Sequence, residues 1–382
     1  MIKKLTAAIA VFCLMVPALG FSASINVPFL ELMTRGFVQD GLFGFTSRGS
    51  LDLKIEGGVK FGGRLTLSYD TKNLEDSGDL VGVRFKSAEI EMRGVAGLPV
   101  NVDFFVGQDD VFCSGDAFPA FFGTSAIATR YRGFFYFPES IIYDGVHSVK
   151  GTGFSAHFPT GSEHFLSSIY LYQDMRFSRP DPSNPLAEVF FPGHYSLDVR
   201  GLLNFPLIKI EAFAGGTYPV PAADYGLYRA GLLFYAGETN VEFFAQIGMP
   251  RFAPMVDTIS LNLFYLLFEP RVHLGFLHII PTFFWHPQYY LQELTGELGS
   301  FDVNLNFLFM NREAPNLSGG LEANLVFSTQ DATGNQTLSV TVSPYVSFTT
   351  PGVLWDLKVN ANLFPFDLSS LVDVFLGIRA VF

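Results

Sequence analysis

In the run Leu51-Asp52-Leu53-Lys54-Ile55-Glu56 every odd position is apolar and every even one is charged. A β-strand sends successive side chains to opposite faces, so this segment has one face suited to oil and one suited to water, whereas a helix would mix them. The pattern recurs. Leu65, Leu67 and Tyr69 oppose Arg64, Thr66, Ser68 and Asp70, and Val241, Phe243, Ala245 and Ile247 oppose Asn240, Glu242 and Gln246. Phe301, Val303, Leu305, Phe307 and Phe309 alternate with Asp302, Asn304 and Asn306, and Trp355, Leu357, Val359 and Ala361 with Asp356, Lys358 and Asn360. No charge stands in any of these apolar rows.

A water-soluble sandwich also alternates, because one face of each sheet packs inside, but its strands average ~5–6 residues. The segments here run near the ~9–11 residues that a tilted strand needs to cross a bilayer. Hydrophobic residues make up 49% of the chain and charged ones 16%, yet beyond the N-terminus no apolar run reaches the ~20 residues of a membrane helix. In lipid an unpaired backbone amide costs several kcal/mol, so many amphipathic strands coexist with a bilayer only when the sheet closes and leaves no edge. The expected fold is therefore all-β, a closed antiparallel transmembrane β-barrel of about eighteen strands, with sixteen as the alternative even number.

The expected strands are 29–37, 49–57, 62–70, 83–93, 100–108, 146–158, 165–173, 195–204, 207–217, 227–236, 239–248, 258–268, 271–284, 297–309, 317–328, 337–349, 353–363 and 372–382. Val83 and Phe85 are out of phase with Ala88, Ile90 and Met92, which predicts a bulge near Ser87. Pro281 and Pro344 remove ladder donors and predict an end or a bulge in their strands. Short and long connections alternate, from a long one at 38–48 onward, and that at 109–145 is the longest. The chain has 43 Phe and 15 Tyr. Tyr69, Tyr172, Tyr195, Phe205, Tyr218, Tyr235, Trp285, Tyr289 and Phe364 fall at expected strand ends, where a membrane barrel carries aromatic girdles.

Residues 1–23 read as a cleaved secretory signal and 24–382 as the barrel: Lys3 and Lys4 precede an apolar stretch from Leu5 to Leu19, followed by small residues. Cys13 leaves with that segment, so Cys113 is a lone thiol. Loss of Lys3 and Lys4 takes the formal net charge from −12 to −14, and an acidic balance excludes nucleic acid as an expected partner.

The last strand resembles the C-terminal assembly signal of Gram-negative outer-membrane proteins, with Gly377, Ala380 and the terminal Phe382 at the spacing of that signal. Phe375 and Ala380 depart from its usual residue types. The resemblance, to the porin-like outer-membrane proteins, implies a place in the bacterial outer membrane among its lipids. It further implies recognition by the barrel assembly machinery, passage of small solutes or ions, and a homotrimer. In general porins the third outer loop folds inward, which the position of 109–145 matches by count. On that likeness Asp109, Asp110 and Asp116 are expected to face Arg130 and Arg132 across a constriction. The expected pore lining comprises Asp52, Lys54, Glu56, Arg64, Asp103, Arg200, Lys209, Glu211, Arg229 and Glu242, inward by strand phase.

The sequence contains no Walker loop, HExxH, GxSxG or CxxC motif, so no enzymatic activity, catalytic residue, metal site or cofactor is expected. Asp144, His147, Ser148 and His157 cluster in sequence but read as lumen or loop polar groups. His273 and His278 differ by an odd number and are expected on opposite faces of one strand. Gly151 and Gly153 read as a close strand approach. A passive diffusion channel leads the expectations. The alternatives are a fatty-acid-type transporter with a greasy path along Phe105, Tyr170, Tyr172, Phe213, Phe244 and Phe264, and a structural or adhesive barrel.

Overall fold

The computed structural model describes residues 23–380 except 40–41, 58–59, 71–82, 126, 131–144, 160–163, 176–177, 182–183, 191–193, 220–225, 287–288, 291–292, 295–299, 311–315, 329–336 and 369–370. Eighteen antiparallel strands pair in chain order: β1 Ala23–Gln39, β2 Leu42–Gly57, β3 Phe61–Asp70, β4 Val83–Met92, β5 Asn101–Phe112 and β6 His147–Pro159. There follow β7 Phe165–Asp174, β8 Tyr195–Asn204, β9 Ile208–Tyr218, β10 Leu227–Glu238, β11 Val241–Phe252 and β12 Tyr265–Leu274. The circle is completed by β13 Leu277–His286, β14 Ser300–Met310, β15 Leu317–Ser328, β16 Thr337–Thr350, β17 Val353–Phe364 and β18 Val372–Ala380. β18 pairs with β1 from Leu30↔Ala380 to Phe37↔Asp373, so the sheet closes on itself. The fold is the closed eighteen-stranded barrel expected from the alternation, and among the described residues no helix is long and apolar enough to cross a membrane.

The two faces sort as the sequence period requires. Leu171, Val199, Val241, Ile247, Leu321, Leu357 and Leu376 are exposed on the outside, and polar neighbours one residue away turn inward. An apolar surface running round the whole cylinder far exceeds the few hundred Å² that a soluble monomer tolerates. The bulge stands at Lys86, where Thr66 pairs with Ser87 and Leu67 with Phe85, and it keeps Phe85 on the outer face with Ile90 and Met92.

Four expectations need correction. The connection at 38–48 is mostly ladder, because β1 and β2 stay paired as far as Gln39↔Leu42. The strands expected at 258–268 and 271–284 lie at Tyr265–Leu274 and Leu277–His286. The turn is made by Gly275, whose φ of 64° suits glycine, and not at Glu269-Pro270. Pro270 is carried inside β12, opposite Pro281 of β13, and the ladder lapses there between Phe268↔Phe283 and Val272↔Ile279 because neither ring has an N–H to give. Neither Pro281 nor Pro344 ends its strand: Pro344 pairs with Leu321, and the lapse falls on the β17 side, between Val342↔Ala361 and Tyr345↔Lys358. Finally, Tyr172 and Tyr235 point into the lumen and do not join the girdle, whereas Tyr195, Phe205, Tyr218 and Phe364 are exposed. Phe382 of the assembly motif and residues 1–22 lie outside the described residues, while Gly377 and Ala380 sit in β18.

Candidate functional site

The chain leaving β5 folds into the barrel. Cys113, Ala117, Phe118 and Ile127 are buried, and a short helix α1 (Ala117–Phe122) lies in the lumen. Polar groups from the wall hold this loop by its backbone. The Cys113 amide donates to Glu211 Oε1 at 2.9 Å, Gln246 Nε2 donates to the Cys113 carbonyl, and Gln246 Oε1 accepts from Tyr265 Oη at 2.8 Å. Arg271 donates to the Ala128 carbonyl, the Arg130 amide donates to Glu269 Oε1 at 2.9 Å, and Thr129 Oγ1 donates to the same carboxylate. At the neck, the Val146 amide donates to the Phe112 carbonyl at 2.9 Å. The Val146 side chain fills a hollow over the paired glycines Gly231 and Gly248. A Cβ on Gly248 would stand 2.4 Å from Val146 Cγ1 and one on Gly231 2.5 Å from Phe213.

Around the loop, the wall from β5 to β13 is packed like a protein core. Phe105, Phe112, Tyr170, Phe213, Phe244 and Phe284 form one apolar cluster with Phe118. Of the six residues expected to make a greasy path, five thus pack against one another and the loop. Phe264 lies in the connection before β12, a consequence of the misplaced strand.

Charges in this half are buried and paired. Arg200, fully buried, sets Nη2 2.8 Å from Asp110 Oδ2 and Nη1 3.6 Å from Glu211, with its guanidinium 5.0 Å from the Phe112 ring and 5.4 Å from Tyr170. Asp110 also accepts from Tyr170 Oη at 2.9 Å. Arg229 binds Asp198 through Nε (2.7 Å) and Nη2 (2.8 Å) and donates to Thr217 at 2.8 Å. Glu269 is bound by Arg271 and by Thr282 Oγ1 at 2.6 Å, and Lys209 lies over Tyr235 at 5.6 Å. Such pairs persist in a low-dielectric interior only because each charge meets its opposite.

The opposite wall is wetter. Asp52 and Lys54 are half-buried and Arg64 is exposed. On β1 and β18, Glu31 pairs with Arg379 at 2.6 Å and Arg35 with Asp373 at 3.2 Å, with Arg379 at 43% side-chain exposure and Arg35 at 23%, against 0% for Arg200. Asn324, Asn360 and Asn362 continue this half-exposed polar row round β15 and β17. The lumen is asymmetric: a filled side carrying the loop, and a polar side facing it.

The expected constriction residues do not meet as one set. Asp110 is taken by Arg200, a residue placed by sequence only in the general lining. Asp109 is half-buried beside it and Asp116 is exposed next to α1. Arg130 sits beside Glu269 and faces Glu242, while Arg132 lies outside the described residues. Of the expected lining, Asp103 is buried and bound to His157 Nε2 at 2.9 Å. The backbone of Glu56 pairs with Gly62. Sequence reading missed Glu269 and Gln246 as anchors of the loop. Strand phase points both inward, but the misplaced turn hid the first, and nothing in sequence ties the second to a loop residue 133 positions away.

Two further constellations appear only in three dimensions. His273 and His278 stand directly opposite each other on β12 and β13, both on the lumen face, contrary to the expectation of opposite faces. Their Nδ1 atoms touch, and His273 Nε2 is 3.1 Å from Glu242, so the donors diverge; among the described residues no group of three or more metal-ligating side chains converges. Asp103, His157 and Ser168 line up by hydrogen bonds, with His157 Nδ1 2.8 Å from Ser168 Oγ. Ser168 is fully buried and Phe121 of α1 covers the imidazole at 4.8 Å, so the row is sealed. Gly151 and Gly153 are close-approach positions, lying against the backbone of β7.

No family model matches the chain and no curated protein matches it in sequence. Solved structures do match in shape. The outer membrane protein opdK from Pseudomonas aeruginosa aligns over 94% of this chain and 98% of its own, with a TM-score of 0.53 and 11% identity. Wzi, a carbohydrate-binding β-barrel involved in group 1 capsule assembly in Escherichia coli, aligns over 93% and 85%, with a TM-score of 0.51 and 10% identity. The chain has the fold of porin-like outer-membrane barrels.

Proposed function

We propose that the protein is a porin-like channel of the bacterial outer membrane that passes small hydrophilic solutes by diffusion. The observation that carries this reading is the asymmetric lumen. One wall is filled by a loop folded inward and anchored at several points, and the facing wall presents half-exposed Glu31, Arg35, Asn324, Asn360 and Asn362. Barrels with ~16–18 strands are wide enough to leave an aqueous channel. A polar, mixed-charge row beside a packed loop is the lining such a channel needs, and the loop would set its width. In this reading residues 1–23 direct export, the C-terminal strand is recognised by the barrel assembly machinery, the outer row contacts lipid, and three copies associate.

Planar-bilayer recording of the purified full chain tests this. Steady ionic steps are expected, with a changed ion preference in a variant carrying Asp109→Asn, Asp110→Asn and Asp116→Asn. Silence would end the channel reading, and unaltered preference would remove those residues from the constriction. The greasy-path alternative draws no support from aromatic residues packed against the loop. A barrel that binds saccharides, as Wzi is described to do, is the second reading, favoured if the bilayers stay silent while the protein retains a glycan.

A further inference from the structure

β14 turns its even residues inward, and Ser300, Asp302, Asn304 and Asn306 are polar as expected of a wet lumen. Then the row changes: Leu308 and Met310, nearest the short-turn rim, are apolar, and Ile280 of β13 joins them. Ile280 and Leu308 are buried with Tyr345 in a small apolar cluster against which Met310 packs, set apart from the cluster around the inward loop. Their placement coincides with a cavity of about 390 Å³ on that side of the lumen, inside the ~300–1,000 Å³ range of small-molecule sites.

The rest of the cavity wall is charged with both signs. Arg130 reaches it from the inward loop, held in place by its backbone bond to Glu269, and its side chain is exposed to the space. Glu238, at the end of β10, supplies an exposed carboxylate. Glu242 also borders the cavity but is already met by Arg271 at 2.8 Å and His273 at 3.1 Å, so Glu238 is the carboxylate offered to a cation. A guanidinium fork favours a carboxylate, an exposed carboxylate favours an ammonium, and the apolar wall favours a hydrocarbon body.

We infer that this cavity is a binding subsite for a small zwitterion with an apolar side chain, of amino-acid size, at the short-turn end of the lumen. Arg130 holds its carboxylate, Glu238 its ammonium, and Ile280, Leu308 and Met310 its side chain. The inference deepens the channel reading and rests on it: solute that has passed the loop meets the subsite before leaving.

Titration calorimetry on the detergent-solubilised full chain, with leucine, leucinamide, 4-methylpentanoate and glycine as probes, tests it directly. Leucine is expected to bind saturably and about tenfold or more tightly than each of the others, each of which lacks one recognition element. Arg130→Gln should abolish the preference over leucinamide, and Glu238→Gln the preference over 4-methylpentanoate. No saturable leucine binding, or equal binding of leucine and its singly charged analogues, overturns the subsite. Bilayer recordings on the same preparation separate the two readings. Ionic steps without leucine binding sink the subsite alone, and binding of leucine to a silent barrel sinks the channel.

Discussion

Arg200 is the cation on which the inward loop depends, and Arg200→Met asks how much. In the native barrel its guanidinium sits between Asp110 at 2.8 Å and Glu211 at 3.6 Å, and Glu211 in turn accepts from the Cys113 amide at the start of the loop. Methionine keeps much of the volume and removes the charge, stranding two carboxylates in a packed interior. Breaking one side of a buried pair costs about 3–5 kcal/mol. The guanidinium nitrogens of Arg200 are close to the carboxylates but not aligned for linear hydrogen bonds, which argues for the lower end, about 3 kcal/mol. If that cost falls on the docked loop, the undocked population rises about a hundredfold, since ~1.4 kcal/mol is a factor of ten. The protein carries its own reporter. Cys113 is fully buried and burial pushes its thiol well above the ordinary value, so the docked loop protects it from thiol reagents. Labelling of Cys113 in the folded barrel should run about a hundredfold faster in Arg200→Met than in the parent. Adding Asp110→Asn should recover part of the protection, because one stranded charge is gone. Unchanged labelling with an unchanged urea midpoint would refute the claim that this cation pins the loop.

Three smaller perturbations follow from the same packing. Thr129→Ala removes one of the hydrogen bonds to Glu269 and should raise Cys113 labelling modestly, by about fivefold for a loss of ~1 kcal/mol. Gly248→Val places a side chain where Val146 Cγ1 already stands 2.4 Å from the would-be Cβ; overpacking of ~1–3 kcal/mol should lower the urea midpoint, and Val146→Ala in the same chain should restore part of it. Ser168 is fully buried beneath Phe121, so a fluorophosphonate probe should leave the folded barrel unlabelled, read by mass spectrometry; labelling would show that the Asp103–His157–Ser168 row is open to substrates.

Where the fold was legible in the sequence, it was because bilayer and lumen impose a period of two that no other constraint disturbs. Leu51 to Glu56 and Trp355 to Ala361 declare their faces without help, and the phase slip at Phe85 and Ala88 even located the bulge. The reading failed where backbone chemistry contradicts its usual meaning. Glu269-Pro270 looks like a turn, yet a strand tolerates Pro270 because its cross-strand neighbour is also a proline, and the real turn rests on Gly275. That one slip hid the pairing of His273 with His278 and the role of Glu269. The lumen was half legible. Strand phase placed Arg200, Glu211 and Arg229 inward but gave no partners, because Asp110 of β5 meets Arg200 of β8 only after two intervening strands wrap round. Period also could not tell a wetted inner wall from a filled one: that distinction comes from where the loop after β5 goes.

Cysteine accessibility in intact membranes tests the central claim, a closed cylinder with oil outside and water along one inner wall. In a Cys113→Ala background, single cysteines at Asn324 and Asn360 face the polar side of the lumen, and cysteines at Leu325 and Leu357 face outward on the same strands. A charged, membrane-impermeant thiol reagent should label the two asparagine positions and spare the two leucine positions. Labelling that ignores the odd and even positions, or protection of all four, would contradict the account.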